Sequence, residues 1–137
     1  MRTKRALLYA WLLATLFSGI PSTLYALLTG RDPLEATRAA GAMIAMPNSL
    51  AAAALVHVSV SLFWALVLWL LLPYRRTALW VMVASAAIAV LDLRVIAPAL
   101  FPEVAALYFW PQFADHMMWG ACYSVGLSLA RPSATRP

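Results

Sequence analysis

Four apolar stretches, each close to the length that crosses a bilayer, constrain this chain more than any other feature. They cover about residues 6–28, 49–72, 77–97 and 111–130. A spanning helix takes about 20 residues. A strand reading fails because apolar and polar residues nowhere alternate for long, and an open sheet would leave backbone groups unpaired in lipid. Composition agrees. Of 137 residues 64% are apolar and 11% charged, and the mean hydropathy is +0.82. Globular chains are about half apolar and a quarter charged, and a soluble chain this short buries only about two-thirds of its surface. A cytosolic enzyme, a disordered tail and a disulfide scaffold are thereby excluded. The expected fold class is an all-α membrane protein: a single four-transmembrane-helix bundle with a short interfacial helix between spans one and two.

The net charge of +5 and a pI near 10 do not indicate nucleic acid, since the basic residues flank apolar segments instead of sharing a soluble face. Nine arginines against one lysine, with abundant alanine, fit a GC-rich bacterial source. The single cysteine, Cys122, has no internal disulfide partner, and no Cys/His spacing suggests zinc.

Arg2, Lys4 and Arg5 before an apolar run resemble a secretory signal, but hydrophobicity continues past Pro21 to Leu28 with no small-residue cleavage site. The stretch reads as a retained span. Arg2, Lys4, Arg5, Arg75, Arg76, Arg131 and Arg136 then fall on one side, and only Arg31 and Arg38 on the other. This asymmetry places both termini in the cytoplasm of a bacterial inner membrane.

On the outer side, Gly30 to Glu35 reads as one helix ending and another beginning. Asp32 is the expected N-cap, Pro33 the first helical residue and Glu35 the capping-box acid. This interfacial helix, about 33–45, carries Glu35 and Arg38 one turn apart. The second outer connection, about 98–110, is rich in Pro, Phe and Trp and suits the headgroup layer.

Five ionisable residues lie inside the spans: His57, Asp92, Arg94, Asp115 and His116. Each costs roughly 2.5–3.5 kcal/mol to insert and therefore faces the bundle interior or a function. At 1.5 Å per residue, all five fall within about 12 Å of the outer ends of their spans. His57 shares a stripe with Ala53, Ala54 and Ser61; Gln112, Asp115, His116, Trp119, Gly120 and Tyr123 share another. Span one contributes Thr15, Ser18, Gly19, Ser22 and Ala26. Asp92 and Arg94 point to different sides of their helix.

The structural reading has these residues pair between helices, with Arg94 reaching the outer headgroups. Three sharper readings remain open. His57, His116, Asp92 and Asp115 could hold a divalent metal. His57 and His116 could clamp a b-type haem. Asp92 or Asp115 could titrate in a proton-linked small transporter. No GxSxG, HExxH or glycine-rich phosphate loop supports a hydrolase or transferase. The favoured function is non-enzymatic: a structural, accessory or small-ligand-binding bundle whose partners are the bilayer and a second copy or a larger membrane protein.

The strings Gly19-Ile20-Pro21-Ser22, Arg31-Asp32-Pro33-Leu34-Glu35-Ala36 and Pro111-Gln112-Phe113-Ala114-Asp115-His116 resemble those of small four-helix bacterial inner-membrane proteins that carry no assigned activity. The resemblance implies topology and no mechanism.

Overall fold

The computed structural model describes residues 4–72 and 77–129. Arg2, Arg75, Arg76, Arg131 and Arg136, on which much of the charge asymmetry rests, lie outside the described residues. Within them the chain is helical and contains no strand. Three helical stretches are long and apolar enough to cross a membrane: Lys4–Leu28, Leu50–Leu71 and Thr77–Leu100. The helix Phe109–Leu129 has 21 residues and falls short of that apolar character. Gln112, Asp115 and His116 dilute it.

The first of these stretches is broken. Helix α1, Lys4–Phe17, and helix α2, Ile20–Leu28, meet at a turn over Ser18 and Gly19. Pro21 causes the break, because it has no N–H to give and its ring crowds the carbonyl four residues back. It sits in the first turn of α2, where a missing donor costs least. Helix α2 then ends in a left-handed residue, Gly30 at φ 68°. The Arg31 amide bonds back to the Ala26 carbonyl at 2.8 Å, as a Schellman end requires.

The short helix α3 covers Glu35–Ala42, later at its start than the expected 33–45. The reason is local. Asp32 Oδ1 accepts the Leu34 amide at 2.8 Å, so a side-chain turn holds Asp32 to Leu34 outside the helix. Leu34, not Asp32, takes the N-cap place. Glu35 forms no capping box: it pairs with Arg31 at 2.8 Å, while Arg38 pairs with Asp32. At the far end Ala45 adopts φ 60°. The Met46 amide reaches the Gly41 carbonyl at 3.0 Å and the Ala45 amide reaches Ala42 at 2.9 Å. This is a second Schellman end, with alanine in the place that glycine favours.

Helix α4, Leu50–Leu71, begins at Ser49, whose side chain accepts the Ala52 amide at 3.1 Å. Helix α5, Thr77–Leu91, passes into a π-turn at Asp92–Ile96 and then into α6, Ala97–Leu100. Pro98 explains the wide turn, since it gives no amide and leaves the preceding ladder to close one residue further on. The Ala97 amide accordingly bonds to the Asp92 carbonyl. The connection at about 98–110 is mostly helical. It contains α6 and a four-residue helix α7, Pro102–Ala105, and the last helix, α8, already starts at Phe109.

Packing centres on α8. It lies against α1, α2 and α5, while α4 packs against α1 and α3. The α1–α8 contact is close because it is built from small residues: Ala6, Ala10 and Ala14 are buried, and a Cβ on Gly126 would come within 2.4 Å of the Ala10 backbone. Gly120 meets Ser85 of α5 in the same way. Such small-residue seams are how helices associate in lipid, where burial of apolar surface supplies little. Large apolar side chains, among them Leu16, Leu28, Leu55, Phe63, Leu70 and Trp110, point outward.

Candidate functional site

Two of the ionisable side chains, Asp115 and His57, meet the break between α1 and α2. A broken helix leaves amides at its new N-terminus and carbonyls at its new C-terminus without partners. Neighbouring helices supply both. Asp115 of α8 accepts the Ser22 amide at 2.9 Å through Oδ1, capping α2 from another helix. Its negative charge also lies at the positive end of the α2 dipole. His57 of α4 places Nε2 2.9 Å from the Thr15 carbonyl and 3.4 Å from Ser18 Oγ. A carbonyl only accepts, so Nε2 carries the proton and donates it to the last turn of α1. One residue is an acceptor for the open start of α2; the other is a donor for the open end of α1.

Below the break a hydrogen-bonded chain crosses three helices. Trp119 Nε1 donates to Ser61 Oγ at 2.8 Å, Ser61 and Thr15 hydroxyls lie 2.6 Å apart, and Thr15 donates to the Trp11 carbonyl at 2.8 Å. Thr15 spends its only proton on Trp11, so Ser61 is the donor between the two hydroxyls, and the chain runs from Trp119 to Trp11. Tyr123, buried and stacked on Trp119 with centroids 5.0 Å apart, donates to the Ala65 carbonyl at 2.8 Å.

His116 turns the other way, toward the π-turn. Its Nδ1 lies 2.8 Å from the Gln112 carbonyl, and its Nε2 lies 3.3 Å from Asp92 Oδ2. The carbonyl fixes a proton on Nδ1. The second contact then needs another proton, on the ring or on the carboxyl. In either form the pair is neutral as a whole, which suits a low-dielectric interior. Arg94 has no carboxylate partner in the described residues. Its guanidinium lies 4.3 Å from the Phe109 ring centre, a cation–π contact at the start of α8.

The sequence-derived cluster is thus divided. Asp115 and His57 serve the broken span, His116 and Asp92 join α8 to the π-turn, and Arg94 stands apart on Phe109. Gln112 takes part through its carbonyl. His57 is an exposed residue whose ring tip reaches inward, and Ala54 of the same stripe is exposed too. Gly19 departs from its stripe and borders a shallow outward notch with Leu16, Ile20, Thr23 and Leu24. Among the described residues no three His, Cys, Asp or Glu side chains come together in a metal-holding group. Both nitrogens of His116 are already engaged. Sequence reasoning missed the Ser22 amide as a partner, although Pro21 next to it marks the opened ladder. It also missed an open groove of about 350 Å³ between α3 and α7.

No protein-family model, curated protein or solved structure matches this chain.

Proposed function

We propose that the chain is a four-span protein of a bacterial inner membrane, both termini cytoplasmic, acting as a non-enzymatic structural or accessory bundle. Helix α8 serves as the fourth span despite its lower apolar character. At 1.5 Å per residue its 21 residues measure about 31 Å, and α1, α2 and α5 cover it. A helix shielded by its neighbours does not need the hydropathy of one that faces lipid.

One observation carries the functional reading: Asp115, His57, Asp92 and His116 each bond to a residue of another helical segment. Their chemistry is spent on holding helices. The test is absorption spectroscopy and metal analysis of the full chain purified in detergent. We expect no Soret band and metal well below one ion per chain. A stoichiometric haem or metal, lost in His57→Ala or His116→Ala, overturns the reading in favour of a metal- or haem-dependent protein.

A further inference from the structure

The open groove lies between two short helices that have no part in spanning. One side has Arg31 and, on α3, Glu35 and Arg38; the other has Glu103 of α7; Ala39 and Ala106 also line it. Its charges do not cancel. Arg31 pairs with Glu35, and Arg38 with Asp32, which leaves Glu103. That residue is exposed, and no cationic side chain pairs with it among the described residues.

The arginines are fixed in place without being used up. Arg31 gives Nε and Nη2 to Glu35 and lies 4.4 Å from the Tyr108 ring centre. Glu35 holds its guanidinium above the ordinary arginine range. A guanidinium has five N–H donors, so both arginines keep donors for an anion. Two guanidiniums with N–H donors to spare on one wall, each beside its own carboxylate, and a lone carboxylate on the other complement a ligand with a phosphate and a nearby ammonium.

We propose that this groove binds the head group of a phospholipid with a primary ammonium, the phosphate at Arg31 and Arg38 and the ammonium at Glu103. The proposal rests on the four-span reading, which sets α3 and α7 at headgroup depth. Small alanines in the lining, Ala39, Ala42 and Ala106, leave room for the head group. Exposed Leu34, Ile44 and Met46 around α3 offer apolar surface to an acyl chain. A soluble phosphoethanolamine would lack that second contact.

The test uses the full chain in phosphatidylcholine nanodiscs doped with phosphatidylethanolamine or phosphatidylglycerol, with retained lipids counted by native mass spectrometry. We expect phosphatidylethanolamine to be retained about two- to fivefold over both other lipids, the range that one exposed ion pair supports. Glu103→Gln abolishes the preference and Glu103→Asp keeps it. Equal retention of the three lipids, an unchanged preference in Glu103→Gln, or displacement by equimolar free phosphoethanolamine overturns the proposal. Both leaflets of a nanodisc carry the same lipids, so this readout stands apart from the topology, which labelling from the two membrane sides tests separately.

Discussion

Asp115 shows how a carboxylate on one helix can be used to cap another. Its cost of insertion is offset by an amide that has no other partner, and by the dipole of the half-helix it caps. Asp115→Ala leaves the Ser22 amide unsatisfied and should cost about 1–2 kcal/mol, the usual penalty for a lost cap or orphaned donor. Asp115→Asn keeps an acceptor oxygen and should cost less. Denaturant unfolding in micelles measures both, and amide exchange at Ser22 should accelerate in Asp115→Ala alone. An Asp115→Ala protein as stable as the parent, with Ser22 still protected, would mean that the cap contributes nothing. At this scale the sequence was partly legible. Apolar surroundings single out His57, Asp92, Arg94, Asp115 and His116, but their partners are backbone groups and residues on other helices. No local pattern encodes a partner 93 positions away in the chain, as Ser22 is from Asp115.

At the scale of elements, hydropathy located the helices well because a membrane span is defined by length and apolar content. Ser49 also marks the start of α4, through a cap that depends only on neighbouring residues. Irregularities were harder. Pro21 and Pro98 each announce a broken ladder, yet one produces a turn and the other a π-turn, depending on which neighbouring groups satisfy the freed backbone. The start of α3 was misplaced for a related reason: Asp32 uses its carboxylate on Leu34 and Arg38, and Glu35 prefers Arg31 to the helix end. The contact between α1 and α8 gives a sharp prediction. A side chain on Gly126 would run into the Ala10 backbone, which has no rotamer to yield. Gly126→Leu should therefore destabilise the bundle by about 1–3 kcal/mol, as overpacking does. The same change at outward-facing Val125 should leave stability nearly unaltered. Thermal unfolding of the two variants side by side checks this.

The whole molecule is a close α1–α8 pair with α4 attached to α1 and α5 attached to α8. Large apolar side chains line the outside, and hydroxyls, small residues and paired ionisable groups line the seams. That distribution inverts the arrangement of a soluble protein and is consistent with a lipid surrounding. It also accounts for the modest hydropathy of α8, which carries the polar side chains of the seams because other helices cover it. The difference between three apolar helices and four spans therefore turns on one helix. Single cysteines in a background lacking Cys122, at Ala105 before α8 and at Ser133 after it, can be labelled with an impermeant thiol reagent from each side of the membrane. Four spans predict that Ala105→Cys reacts only from the periplasmic side and Ser133→Cys only from the cytoplasmic side. Labelling of both from the same side would show that α8 does not cross, and would contradict this account.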